Sequence, residues 1–179
     1  MSYEPGDSVS QFELKNSNPE HHGEIVSLDD ILTPAGAVVI FECNHCPYVV
    51  ANIQRMNRAA AKAAELGMGY VGINSNDPET YVDDNFDNMV KRAKKGMPYA
   101  YLHDESQEIA TAWGAKRTPE FYLLNGEGVV VYRGRLDNSP RDPNAVSTSE
   151  LADAMDALSM GEAPVVNRTE SIGCSIKWK

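Results

Sequence analysis

The sequence has few basic residues and few cysteines, and each shortage argues against a class of function. Lys and Arg together number 16 against 26 Asp and Glu, which gives a formal net charge of −10 at pH 7. A surface of this sign repels nucleic acid and anionic membranes, so neither is expected as a partner. Only three cysteines occur in 179 residues. An odd number this small does not suit the disulfide framework of a secreted domain.

Long hydrophobic runs and nucleotide-binding motifs are also absent. No apolar stretch approaches the ~20 residues that a membrane-spanning helix needs, and the first residues lack the basic and apolar pattern of a leader. The sequence therefore predicts a cytoplasmic protein. The glycine-rich patterns that cradle nucleotide phosphates do not occur, and we expect no cofactor.

The order of hydrophobic patterns predicts an α/β fold. Short apolar runs alternate with segments of helical spacing, and the turn at 125–128 indicates a β-hairpin. The predicted strands are 37–41, 70–73, 98–102, 120–124 and 129–133, and the predicted helices are 49–67, 79–95, 105–113 and 147–160. Such alternation gives a central mixed sheet that is mainly parallel, with an antiparallel edge and helices on both faces.

The two ends of the chain show weaker patterns. Residues 8–28 predict an N-terminal β-hairpin, whereas 161–179 has no clear period and is predicted to be a tail. The length fits one domain of ordinary size. We therefore expect a single domain over 1–179, with a hairpin extension at 1–32, a core at 33–160 and a C-terminal tail at 161–179.

The motif with the clearest chemistry is a pair of thiols three residues apart. Cys43 and Cys46 follow the apolar run 37–41 and precede a predicted helix. This context predicts that Cys43 lies at a helix N-terminus, where the unpaired N–H groups and the helix dipole favour a thiolate. A C-x-x-C pair between a strand and a helix is typical of a redox couple. His45 between the cysteines would stabilise the thiolate further, which predicts a more oxidising couple than that of thioredoxin.

Five segments of the sequence resemble a known family. They are FECNHCPYV at 41–49, YLHDE at 101–105, GAKRTPEF at 114–121, YRGRLD at 132–137 and GCSIKW at 173–178. In these segments the chain resembles the thioredoxin-like superfamily, in the redoxin branch that contains AhpC/TSA-like proteins and thiol–disulfide reductases and borders the peroxiredoxins. The resemblance implies a thioredoxin-like fold.

The resemblance also implies roles for individual residues. Cys43 would be the exposed nucleophile and Cys46 the buried resolving thiol, while Thr118 and Pro119 would form a cis-proline loop that binds an extended substrate strand. One departure concerns the buried Asp that thioredoxins have six residues before the first cysteine, because Ala37 occupies that position here. The nearest carboxylate in sequence is that of Glu42, in a position that could be exposed.

The third cysteine, Cys174, has two interpretations. In the first it is an exposed or half-buried free thiol, because the tail is too short and polar to form core. In the second the tail folds back, and Cys174 exchanges with the Cys43–Cys46 pair. The sequence does not choose between them.

These observations together predict a thiol–disulfide oxidoreductase that acts on a protein or small-molecule disulfide and exchanges electrons with a further donor or acceptor. One alternative is a peroxiredoxin-like peroxidase that uses Cys43, although Ile40 stands where that motif has Thr. Another is a thioredoxin-fold binding module or redox sensor without enzymatic activity. A zinc site would need Cys174 or a histidine to complete it, and without a second C-x-x-C motif we expect no metal.

Overall fold

The computed structural model describes residues 2–179 and shows an α/β fold. The strands are Glu13–Asn16 (β1), Ile25–Ser27 (β2), Ala37–Phe41 (β3), Gly69–Asn74 (β4), Ala100–His103 (β5), Arg117–Thr118 (β6), Glu120–Leu124 (β7), Val130–Gly134 (β8) and Cys174–Ser175 (β9). The helices are Leu28–Ile31 (α1), Pro47–Val50 (α2), Ile53–Glu65 (α3), Phe86–Ala93 (α4), Glu108–Trp113 (α5) and Glu150–Ser159 (α6). Seven strands form one mixed sheet in the order β2-β1-β5-β4-β3-β7-β8, and β6 pairs separately with β9.

Strand β3 lies inside the sheet and leads into the thiol motif. It runs parallel to β4 and antiparallel to β7, and every residue of the strand is buried. The continuous apolar run of this strand is what burial on both faces requires. One hydrophobic cluster, which includes Phe41 and Trp113, covers one face of the sheet, and a second, which includes Met56 and Tyr101, covers the other. The predicted mixed sheet flanked by helices is confirmed, and the N-terminal hairpin is present as β1 and β2.

The helix predicted over 49–67 is in fact two helices. Helix α2 begins at Pro47 and ends at Val50, and α3 begins at Ile53 after the N-cap residue Asn52. The Asn52 side chain donates a hydrogen bond to the carbonyl oxygen of Pro140, 2.8 Å away. The Asn52 side chain makes no capping bond with α3 but also donates to the Tyr48 carbonyl four residues earlier, a local contact that competes with helix continuation. The break separates the short helix after the thiols from the long helix.

The helix predicted over 79–95 is much shorter in the structure. A single 3₁₀ turn covers Val82–Asp84, and α4 begins at Phe86. Asn85 caps α4 by accepting a hydrogen bond from the Asn88 backbone N–H at 2.9 Å, which fixes the start of the helix seven residues after Glu79. The turn buries Asp84 completely next to the thiol motif.

The C-terminal segment is folded, so the expectation of a tail without core contacts is wrong. Ile176 is 2% exposed and belongs to the hydrophobic cluster around Trp113. Its N–H donates to the Lys116 carbonyl at 3.0 Å, next to the pairing of β9 with β6. Within residues 2–179, no helix is long and apolar enough to cross a membrane.

Candidate active site

The two cysteines of the motif lie at the end of β3 and the start of α2, and both are buried. Cys43 and Cys46 are each 0% exposed, so the expectation that Cys43 is exposed is wrong. Helix α2 begins at Pro47 with Cys46 as its N-cap residue, and the N–H of Val49 donates to the Cys46 carbonyl at 2.9 Å. The helix N-terminus therefore lies at the second cysteine and not at the first, because four residues of loop separate the strand from the N-cap residue.

The predicted proline loop faces the pair. The peptide bond between Thr118 and Pro119 is cis, as predicted. The Cys43 sulfur lies 3.5 Å from the Thr118 hydroxyl oxygen, and the Cys46 sulfur lies 3.5 Å from the Thr118 carbonyl oxygen. Thr118 itself is 2% exposed. One residue of the loop thus contacts both sulfurs.

The pKa values of the two thiols move in opposite directions. A hydrogen bond from Cys43, followed by smaller contributions from Cys174 and the Val49 N–H, lowers the pKa of Cys46 to about 4 against the desolvating effect of burial. The same hydrogen bond to Cys46, together with burial and the nearby Asp84 charge, raises the pKa of Cys43. The Thr118 carbonyl oxygen next to the Cys46 sulfur favours a thiol over a thiolate. This one acceptor is outnumbered by the groups that stabilise the Cys46 thiolate, which are Cys43, Cys174 and the Val49 N–H. The two shifts favour a reduced pair that holds one shared proton, with the charge on Cys46.

The histidine of the motif points to a carboxylate. His45 Nδ1 lies in contact with Asp84 Oδ2, and the ring of His45 stacks on Tyr81 with 6.0 Å between the ring centroids. The Asp84 carboxylate also accepts hydrogen bonds from the Asn44 N–H at 2.7 Å and from the Asn76 side chain at 2.9 Å. Asp84 was missed from the sequence because it was assigned to a regular helix. Its charge offsets that of a protonated His45.

A second buried carboxylate lies directly before Cys43. Glu42 is 0% exposed; its carboxylate oxygens lie 2.5 Å from Arg92 Nη2 and 2.9 Å from the Tyr99 hydroxyl, which donates to it. Arg92 in turn donates to the Cys43 carbonyl at 3.1 Å. The ion pair therefore holds the backbone of the first cysteine. Sequence alone left Glu42 in a position that could be exposed and gave no sign of Arg92, which is 50 residues away along the chain.

The third cysteine lies beside the pair. Cys174 is half-buried and packs against the cluster formed by Cys43, Cys46 and Val49. Burial, followed by the neighbouring Cys46 thiol, raises the pKa of Cys174 to about 11. The three cysteines are free thiols. The tail therefore folds back, as the second interpretation of Cys174 requires.

One group of side chains in the described residues has the geometry of a metal site. Potential ligand atoms of Cys43, His45 and Asp84 all lie within 4.8 Å of one another. Cys, His and Asp are all zinc ligands. However, the Asp84 carboxylate is already surrounded by His45 and by the amide donors described above. A metal ion would have to displace several of these contacts, so the expectation of no metal stays a prediction.

The sequence matches the AhpC/TSA family over residues 5–133. An uncharacterized conserved protein from Geobacillus kaustophilus is 39% identical, with a TM-score of 0.91 over 99% of this chain and 93% of that one. A hypothetical protein from Sinorhizobium meliloti 1021 is 31% identical, with a TM-score of 0.90 over 100% of this chain and 97% of that one. The peroxidoxin BcpB of Mycobacterium tuberculosis, at 20% identity, shares the fold with a TM-score of 0.60 over 89% of this chain and 95% of that one.

The match over 5–133 includes Cys43, Cys46, Thr118 and Pro119 and ends before Cys174. The two more similar structures extend over the C-terminal segment as well. The thioredoxin-like fold predicted from the sequence is confirmed, and the chain belongs to the AhpC/TSA family of redoxins.

Proposed function

We propose that the protein is a thiol–disulfide oxidoreductase in which Cys43 and Cys46 form the redox couple. The observation that carries this proposal is that both sulfurs lie 3.5 Å from atoms of one residue, Thr118, at a cis-proline bond. The two thiols are thus held side by side, and the opposite shifts of their pKa values favour a thiolate, which is the reactive form in exchange. Thr118, next to both sulfurs, is the substrate-facing residue of the loop.

The couple works by two successive exchanges. The shared proton passes from Cys43 to Cys46 across their hydrogen bond, and the Cys43 thiolate attacks one sulfur of a substrate disulfide while the other sulfur leaves as a thiolate. Cys46 then passes its proton to the first substrate thiolate and attacks the Cys43 sulfur of the mixed disulfide, which releases the second substrate sulfur as a thiolate. The substrate gains two electrons, and the protein is left with a Cys43–Cys46 disulfide. A protein or small-molecule disulfide can serve as the substrate, and a separate thiol donor restores the pair.

The experiment that tests the proposal is reduction of insulin disulfides by dithiothreitol, followed by turbidity. The wild type is expected to accelerate the reaction, and Cys43→Ser and Cys46→Ser are each expected to abolish the acceleration. Ser175→Ala, a change of an exposed side chain near the thiols, is the matched control and should leave the rate unchanged. Activity that survives in both cysteine variants would refute the proposal.

A peroxidase would behave differently in a parallel assay. If hydrogen peroxide consumes the thiols of the protein far faster than it consumes free cysteine, and insulin is not reduced, the couple serves peroxide and not disulfides. We expect the opposite pattern, because Ile40 stands at the position where the peroxiredoxin motif has Thr.

A further inference from the structure

An active-site pair that meets its substrate directly is expected to be more exposed than a third thiol beside it. In this protein the third thiol is the more exposed one. Cys43 and Cys46 are each 0% exposed, whereas Cys174 is half-buried. A reagent in solution therefore meets Cys174 before it meets either thiol of the pair. Exchange reactions need access to the attacked sulfur. The folded C-terminal segment therefore controls how the buried pair exchanges disulfides with molecules in solution.

Strand β9 occupies the edge at which an extended substrate would bind. It pairs antiparallel with β6, and Cys174 is directly opposite Thr118. The approach of the two backbones is close, since a Cβ atom added to Gly173 would lie 2.0 Å from the Thr118 carbonyl oxygen. Only glycine fits at such a distance. The chain thus presents its own cysteine to the pair on a strand in the substrate position.

The strand is held at its C-terminal end by contacts away from the thiols. The Lys177 carbonyl accepts hydrogen bonds from the Asp77 N–H at 2.8 Å and from the Gln107 side chain at 2.9 Å. The Lys177 N–H donates to the Asn76 side chain at 2.9 Å. With Ile176 buried in the core, these contacts fix Cys174 next to Cys46. A free C-terminal thiol on a loose tail would lack this placement.

We propose that Cys174 is the third redox residue of the protein and carries the disulfide from the buried pair to the surface. The inference rests on the proposed function, which supplies the oxidised Cys43–Cys46 pair. The Cys174 thiolate attacks the Cys46 sulfur, a Cys46–Cys174 bond forms, the Cys43–Cys46 bond breaks, and Cys43 takes up the proton that Cys174 has lost. No electrons enter or leave in this step. An external thiol then attacks the Cys174 sulfur, so that a mixed disulfide forms and Cys46 leaves as a thiolate. A second molecule of that thiol attacks the external sulfur of the mixed disulfide, which frees Cys174, releases the oxidised external disulfide and leaves the protein two electrons richer.

Disulfide mapping of variants that each lack one of the three cysteines tests this step. Cys43 and Cys46 share the tryptic peptide 16–55, and Cys174 lies on 169–177. Full-length protein is reduced, treated with glutathione disulfide, quenched in acid, alkylated and digested without reductant. We expect Cys43→Ser to yield the linked peptides 16–55 and 169–177 as its main product, and Cys46→Ser to yield at least tenfold less of them. If Cys43→Ser gives only glutathione adducts, or no more linked product than Cys46→Ser, the inference is wrong.

A kinetic measurement separates this inference from the proposed function. Oxidised wild type and Cys174→Ser are mixed with reduced glutathione, and the return of the pair to free thiols is followed. We expect Cys174→Ser to be reduced at least tenfold more slowly, while Ser175→Ala matches the wild type. If Cys174→Ser is reduced and reduces insulin as fast as the wild type, the inference falls and the proposed function stands. If the wild type forms no intramolecular disulfide, both fall.

Discussion

Replacement of Glu42 by Gln is expected to destabilise the protein strongly although it removes only one charge. Glu42 is 0% exposed and Arg92 is 12% exposed, and their charged atoms are 2.5 Å apart. Gln keeps a similar shape and can still accept from the Tyr99 hydroxyl, but it leaves the Arg92 charge buried without a counter-ion. Breaking a buried pair in this way costs about 3–5 kcal/mol. For a chain of this length, that corresponds to a fall in Tm of about 6–20 °C.

Two control variants test whether the unpaired Arg92 charge causes the loss of stability in Glu42→Gln. Glu42→Gln combined with Arg92→Met removes both charges, and we expect it to recover at least half of the lost stability, because no uncompensated charge remains. Asp156→Asn breaks the exposed pair with Lys62, whose side chains are 49% and 32% exposed, and should cost less than about 1 kcal/mol.

The assay is equilibrium urea unfolding of the reduced proteins, followed by far-UV circular dichroism. A loss of less than about 1 kcal/mol in Glu42→Gln would refute the assignment of a buried ion pair beneath Cys43. So would a double variant that is no more stable than the single one.

Two further predictions concern the thiols. Because hydrogen bonds lower the pKa of Cys46 to about 4, its thiolate absorbance at 240 nm should persist below neutral pH and disappear only as the pH falls through that value. Cys46→Ser should lack this absorbance. If the thiolate absorbance of the wild type first appears above pH 8, the low pKa assigned to Cys46 is wrong. Gly173→Ala should displace β9, since the added Cβ would lie 2.0 Å from the Thr118 carbonyl oxygen, and iodoacetamide should then alkylate the buried pair at least tenfold faster, whereas Ser175→Ala should not change the rate.

Local sequence patterns correctly predicted those parts of the fold that depend on one strand or one turn alone. The apolar run 37–41 became the buried strand β3, and the turn at 125–128 joined β7 to β8 as a hairpin. Both predictions depend on hydrophobic periodicity and turn chemistry, which are properties of neighbouring residues. The C-x-x-C motif was identified from a short segment, and the cis bond before Pro119 was implied by the family resemblance.

The parts that sequence reasoning missed depend on contacts between distant residues. The burial of Glu42 results from Arg92 and Tyr99, and the placement of Asp84 results from a 3₁₀ turn in a segment whose composition favours a regular helix. The core position of Ile176 results from its contacts with elements more than 60 residues earlier. No local pattern encodes such pairings, so the surroundings of the thiols could not be predicted.

The structure also changes the reason for expecting an oxidising couple. The prediction from sequence attributed it to His45, but Asp84 lies against that ring and offsets its charge. The groups that stabilise the thiolate are instead the thiols of Cys43 and Cys174 and the backbone at the start of α2, all acting on Cys46. Stabilisation of the reduced form by any of these makes the disulfide more oxidising, so the prediction stands on a different physical basis.

The most direct test of the central claim, that Cys43 and Cys46 form a redox couple, is a titration of the full-length protein against glutathione redox buffers. Free thiols are counted at each potential, and the same titration of Cys46→Ser serves as the control. We predict a reversible two-electron transition in the wild type with a midpoint above roughly −270 mV, the value typical of thioredoxin, and no such transition in the variant. A wild type that forms no reversible disulfide would contradict the redox couple itself, and a midpoint at or below that value would contradict the oxidising poise.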